Sequence, residues 1–256
     1  MKKHIILGIL MFFIMASVQF SACSSNEDEA ENETASLCTD APTYTPTNDY
    51  MVIAQAVGGM QSCGIVMISK DGGNVTDAVV KINNTPLPYD EYLGYAGYID
   101  ASNTGAEMEL EVTHNGIVIA SGNSCVPGTP TITNIDSGYV HQKNTALEVM
   151  WSSVDYATAI EVSATSSTGD DDYSSGFLDP TATSHTIPAT WFDISSSWDD
   201  QAECTITVNA LNGISTGNEN VIGSDSLEVG YNIEGASGLF ISVNGDETTV
   251  YVPLDN

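Results

Sequence analysis

Met108-Glu109-Leu110-Glu111-Val112, then Asn115-Gly116, then Ile117-Val118-Ile119-Ala120 spell out a β-hairpin. In the first run, apolar residues alternate with glutamates, the period of a strand with one face buried and one face wet. Asn-Gly accepts the positive φ that two-residue primed turns require, so the two runs pair across residues 115–116. Working outward, short runs at 51–57, 64–70, 78–83 and 95–100 precede those at 107–113 and 117–121. Asp71-Gly72-Gly73-Asn74, Asn83-Asn84 and His114-Asn115-Gly116 separate several of them. Six short strands with no segment of helical period imply a small β-sandwich over residues 46–126.

Cys125-Val126-Pro127-Gly128-Thr129-Pro130 interrupts this pattern as an interdomain linker does, and strand-like runs resume afterwards. The expected fold is all-β, two tandem sandwiches, with the second over residues 127–256. It includes Leu147-Glu148-Val149-Met150-Trp151, Ala159-Ile160-Glu161-Val162-Ser163-Ala164, Ser184-His185-Thr186-Ile187 and Cys204-Thr205-Ile206-Thr207-Val208-Asn209-Ala210-Leu211-Asn212-Gly213. That succession resembles a fibronectin type III domain. The resemblance implies that Trp151 is an early core tryptophan, and it departs from the family at Cys204, where a tyrosine is usual. The stretch Gly73-Asn74-Val75-Thr76-Asp77-Ala78-Val79-Val80-Lys81-Ile82-Asn83 resembles the immunoglobulin-like modules of exported bacterial proteins, which implies fold only. Residues 239–243 and 248–252 around Asn244-Gly245-Asp246-Glu247 read as a final hairpin packed on the second sandwich.

The N-terminal residues 1–22 carry Lys2 and Lys3, then a mostly apolar run from Ile5 to Phe20, then Ser21-Ala22 before Cys23. This is a processing signal outside the fold, and its apolar run is shorter than the ~20 residues of a spanning helix. Its end resembles the lipobox of bacterial lipoproteins, which implies that Cys23 becomes the lipidated N-terminus. Residues 23–45 read as an acidic, disordered tether, because a stretch that opens Ser24-Ser25-Asn26-Glu27-Asp28-Glu29 buries too little apolar surface to order. The acidic cluster resembles the export signal of Bacteroidota surface lipoproteins, which implies the exterior of the outer membrane. Asp225-Ser226-Leu227 resembles the O-glycosylation sequon of the same group.

Charge excludes whole classes of partner. The chain holds 34 acidic residues and 5 lysines with no arginine; with Lys2 and Lys3 removed, three lysines face 34 carboxylates, an excess of 31. Such a body repels phosphate backbones, so no nucleic acid is expected. The lack of arginine removes the bidentate clamp for carboxylate and phosphate, which leaves neutral, cationic or metal-bridged ligands. Cys38, Cys63, Cys125 and Cys204 are an even set suited to an oxidising compartment. Cys63 with Cys125 is the favoured disulfide, since both end strands of one sandwich; Cys38 with Cys125 is the near alternative.

Candidate sites are few. Tyr89, Tyr92, Tyr95 and Tyr98 recur within eleven residues, and Trp191 and Trp198 bracket a loop; aromatic faces beside Asp and Asn acceptors, chiefly the tyrosines and Trp198, suit a neutral glycan. Asp170, Asp171 and Asp172, with Asp199-Asp200 as a second pair, offer the hard oxygens calcium prefers; no other cofactor is expected. Gly213-Ile214-Ser215-Thr216-Gly217 matches a nucleophile elbow in spelling, yet it follows a strand with no helix behind it, so a hydrolase is the last of three readings. His114, His141 and His185 fit surface or cross-strand packing better than catalysis. The first expectation is a non-enzymatic, lipid-anchored surface module for binding, adhesion or spacing, its partner an unknown protein. The second is a glycan-binding accessory lipoprotein of a polysaccharide-uptake system.

Overall fold

The computed structural model describes residues 38, 42–59, 62–168, 172–194, 201–214 and 229–254, and none of these is helical. The chain is all-β. In order, the first strands are β1 (Thr43–Tyr44), β2 (Tyr50–Val57), β3 (Cys63–Lys70), β4 (Gly73–Asn74), β5 (Val79–Ile82), β6 (Thr85–Leu87), β7 (Tyr89–Asp90), β8 (Gly94–Tyr98), β9 (Glu107–His114) and β10 (Ile117–Cys125). Next come β11 (Tyr139–Val140), β12 (Leu147–Met150), β13 (Ala159–Ser166), β14 (Tyr173–Leu178), β15 (Ser184–Ile187), β16 (Gln201–Asn212), β17 (Gly230–Tyr231), β18 (Ile233–Glu234) and β19 (Ser237–Pro253). The signal, Cys23 and most of the expected tether, residues 24–37 and 39–41, lie outside the described residues, as do Asp170, Asp171, Trp198, Asp199, Asp200 and Asp225-Ser226-Leu227. The end of the stretch expected to be disordered over 23–45 is ordered instead: Cys38 is disulfide-bonded to Cys125, and Thr43 and Tyr44 pair with Tyr231 and Gly230.

Two compact units divide the chain. The first takes the residues up to Gly128 together with Asp155–Thr158 and Leu211–Asn244; the second takes Thr129–Val154, Ala159–Ala210 and the residues from Gly245 onward. This corrects the expected uninterrupted second domain over 127–256. β16 and β19 are long enough, at 12 and 17 residues, to serve the second unit with one part and the first with the other.

In the first unit, one sheet runs β19–β2–β3–β8–β7 and the other β18–β10–β9–β5–β6. β2 and β3 pair antiparallel along their whole length, from Tyr50 opposite Lys70 to Val57 opposite Cys63, while the first part of β19 lies parallel to β2. The β9–β10 hairpin forms as its sequence predicts: Asn115 and Gly116 take φ of 52° and 75°, and Ile117 pairs with His114. Met108, Leu110 and Val112 turn inward while Glu109 and Glu111 stay exposed. Inward side chains of the two sheets, Val52, Ala54, Val66 and Ile68 against Val80, Ile82, Leu110 and Val112, form the core. Each of the valine, isoleucine and leucine side chains contributes roughly 1.5–3 kcal/mol by leaving water.

The disulfide joins Cys38 to Cys125, with Cα atoms 5.3 Å apart, and not Cys63 to Cys125. Cys63 begins β3 opposite Val57 and Tyr98 in one sheet; Cys125 ends β10 opposite Glu107 in the other. Strand ends of one domain are therefore not neighbours in space here. Asn212 secures the bonded pair. Its amide oxygen accepts from Cys125 N (2.9 Å) and Ser124 Oγ (3.1 Å), and its Nδ2 donates to Cys38 O (2.8 Å) and Tyr156 O (2.7 Å). All the hydrogen-bonding capacity of this buried amide is used.

In the second unit, β14, β13, β16 and the later part of β19 are neighbours in that order, and β11 lies parallel to β19. β12 and β15 form a separate ladder, prolonged by a bridge between Ile132 and Trp151. Trp151, Ile160, Val162, Ile187, Phe192, Cys204 and Ile206 are buried. The expected C-terminal hairpin is absent, because β19 continues straight through Asn244-Gly245. Neither residue has a positive φ. Gly245 is instead a close-approach glycine: a Cβ there would fall 2.6 Å from Asn209 Oδ1 and 3.2 Å from Val208 O, so a larger residue would make the Asn209 side chain and the neighbouring strand shift.

Candidate functional site

The tyrosines at 89, 92, 95 and 98 do not make one platform. Tyr95 is 2% exposed, and its hydroxyl accepts from Ala78 N (2.7 Å) while donating to Val75 O (3.2 Å). Burial raises its pKa above the usual tyrosine value, against the lowering effect of the Ala78 bond. Tyr89 packs edge-on against it, with ring centroids 5.3 Å apart. Tyr92 is 82% exposed in the turn between β7 and β8, and Tyr98 stands three residues from Tyr95 along β8, so the pleat sends the two to opposite faces. The four residues divide between core and surface.

Asp172, the one described member of its aspartate run, is exposed, and among the described residues no three His, Cys, Asp or Glu side chains converge on a metal position. Of the elbow-like stretch, Gly213 and Ile214 are described: Gly213 has a φ of 106°, and Ile214 is buried with its carbonyl accepting from Thr158 Oγ1. Ser215, Thr216 and Gly217 lie outside the described residues. His114 sits between Tyr50 and Asp77, with Nδ1 2.7 Å from the Tyr50 hydroxyl and Nε2 3.0 Å from Asp77 Oδ1. Since a carboxylate only accepts, Nε2 carries the proton. His141 is buried, its ring 4.4 Å from that of Phe192.

Two surfaces do bring chemistry together. The first is a groove of about 260 Å³ on the outward face of β9 and its neighbours in the first unit, walled by Tyr44, Lys81, Glu109, Glu111, Asn123 and Glu234. Strand alternation builds it: Glu109 and Glu111 point out because Met108, Leu110 and Val112 point in. Register completes it, placing Lys81 opposite Glu111, with Nζ 3.1 Å from Oε1, Asn123 opposite Glu109, and Ser121 opposite Glu234. Three carboxylates against one ammonium favour a cationic or hydroxyl-rich group.

The second surface is a row of rings in the second unit. The half-buried Tyr173, at the start of β14, meets His185 of β15 and Trp191, with centroids 6.0 and 6.4 Å away. Trp191 stands edge-on to the buried Phe192 at 4.9 Å, and Phe192 continues through His141 to Tyr139. A turn fixes Trp191, its N–H donating to Pro188 O and that of Phe192 to Ala189 O. The Tyr173 hydroxyl lies 2.6 Å from His185 Nε2. Burial pushes the tyrosine pKa up and the histidine pKa down, so both are neutral at pH 7 and the hydroxyl donates to Nε2. Sequence alone does not reveal this group, because Tyr173, His185 and Trp191 share no spacing; His185 reads there as a packing residue, and Trp191 is paired there with Trp198 and not with Tyr173.

No protein-family model matches the chain, and no curated protein does. Among solved structures, fibronectin type III modules are similar to it. The fibronectin(III)-like modules of Clostridium thermocellum CbhA align at 12% identity over 80% of this chain and 94% of that one, with a TM-score of 0.26. The FN1–FN3 domains of chicken CNTN1 align at 9% identity over 85% and 66%, with a TM-score of 0.28. A two-domain fibronectin type III segment of chicken tenascin aligns at 11% identity over 69% and 92%, with a TM-score of 0.26.

Proposed function

We propose that the protein is a lipid-anchored, non-enzymatic binding, adhesion or spacer module on the outer face of a bacterial outer membrane. The anchor reading rests on the lipobox-like end at Cys23 and the acidic tether after it. The observation that carries the binding reading is the open groove between Lys81, Glu109 and Glu234, a concave polar surface on a sheet. Its partner is a protein presenting cationic or hydroxyl-rich groups.

Palmitate labelling, detergent-phase partition and protease shaving of intact cells test the anchor and its side of the membrane. The wild-type chain takes up label, enters the detergent phase and is shaved, and Cys23→Ala loses the first two properties. An unlabelled wild-type chain contradicts the anchor. Turnover of a generic ester that disappears in Ser215→Ala contradicts the non-enzymatic reading.

The row of half-buried rings at Tyr173, His185 and Trp191 favours a second reading, a glycan-binding accessory lipoprotein of a polysaccharide-uptake system.

A further inference from the structure

The geometry points to Tyr173, His185 and Trp191 as a stacking platform for a neutral carbohydrate, an inference that rests on the glycan-binding reading. A sugar ring presents an apolar C–H face and a rim of hydroxyls, so its site needs an exposed aromatic face beside unfilled donors and acceptors. Trp191 and Tyr173 supply the rings: both are half-buried, their planes 58° apart and their centroids 6.4 Å apart, and the buried Phe192 backs Trp191 edge-on. The arrangement is held from three places, the start of β14, the middle of β15 and the turn after Pro188.

The hydroxyl–imidazole pair supplies the polar rim. With the Tyr173 hydroxyl donating to His185 Nε2 at 2.6 Å, the neutral imidazole carries its proton on Nδ1. Among the described residues no protein group bonds that Nδ1–H, and it is not a buried orphan; it is left to donate outward, while the tyrosine oxygen keeps a lone pair to accept. No charge is carried by these three side chains, and the chain as a whole is strongly acidic without arginine, which selects against uronic and sulfated sugars.

Affinity electrophoresis of the mature chain through gels holding a soluble β-glucan, galactomannan, xyloglucan or mannan, with polygalacturonate as the anionic control, tests the inference. At least one neutral polysaccharide retards the protein and polygalacturonate does not. Trp191→Ala weakens that retardation tenfold or more, Trp191→Phe keeps part of it, and Tyr173→Phe weakens it severalfold; thermal melting confirms each variant is folded. Should Trp191→Ala fail to fold, Trp191→Phe and Tyr173→Phe decide. Retardation unchanged in the folded variants, but lost in Glu109→Ala, overturns this platform and keeps a glycan-binding module acting through the groove. No retardation by any neutral polysaccharide overturns both the platform and the glycan-binding reading, and leaves the anchored spacer.

Discussion

Tyr95 in the first unit and Tyr173 in the second both hydrogen-bond through their hydroxyls, and the difference lies in what each bond leaves over. Tyr95 is sealed in the core, accepting from Ala78 N and donating to Val75 O, so backbone takes what its hydroxyl offers. Tyr173 is half-buried and meets an imidazole, which passes the donor role on to its far nitrogen. The first arrangement closes a structure and the second leaves polar valences facing outward. An aromatic residue becomes a ligand surface when its partner is itself unfinished.

The comparison breaks most severely at the disulfide. Replacing Cys38 and Cys125 by serine frees a separation of 87 residues, and chain-entropy reasoning sets the loss at about 4.6 kcal/mol. Denaturant titration checks this, and a loss under about 1 kcal/mol contradicts the bond's structural role. Any glycan retardation should survive the change, because the ring platform belongs to the second unit.

Next come the two tyrosines themselves. Tyr95→Phe strands Ala78 N and Val75 O, at a cost of about 1–3 kcal/mol. Tyr173→Phe costs less than about 1 kcal/mol, since water reaches the half-buried group it leaves. Equal losses in melting experiments contradict the distinction drawn between them. Tyr95→Ala, attractive from the sequence as a ligand-site probe, reports on the core instead.

The last effect is in pH dependence. Glu161 is buried on β13, its Oε1 accepting from Ser174 Oγ at 2.7 Å and its Oε2 without a partner, and burial raises its pKa above 4.5. The folded chain therefore holds this proton more tightly than the unfolded chain. Its contribution is complete below pH 4.5 and is lost as pH rises through the folded value, at up to about 1.4 kcal/mol per pH unit. Glu161→Gln removes that loss, so the stability difference between variant and wild type grows in the variant's favour from pH 4 to pH 7. A difference independent of pH contradicts a titrating Glu161.

How much the sequence displayed depends on how local each signal is. The pair Asn115-Gly116 joins two runs that alternate toward one core, and the hairpin forms. Asn244-Gly245 has the same spelling and forms no turn, because Asn244 Nδ2 donates to Pro127 O at 3.2 Å and Gly245 lies against Asn209. Partners more than thirty residues away decided its conformation, and no window of the sequence contains them. The cysteines behave alike, since strand ends in different sheets cannot be matched by spacing. The tyrosines at 89–98 look grouped because they are close in sequence, and the pleat scatters them; Tyr173, His185 and Trp191 look unrelated, and three separate elements gather them.

The central claim is that outward-facing polar capacity at the ring row, and not exposure alone, marks the ligand surface. Affinity electrophoresis of wild type, Trp191→Ala and Tyr92→Ala on the retarding neutral polysaccharide tests it directly, since Tyr92 is the most exposed of the tyrosines at 89–98. The account predicts that Trp191→Ala runs free while Tyr92→Ala is retarded like wild type. Retardation lost in Tyr92→Ala and kept in Trp191→Ala would contradict it.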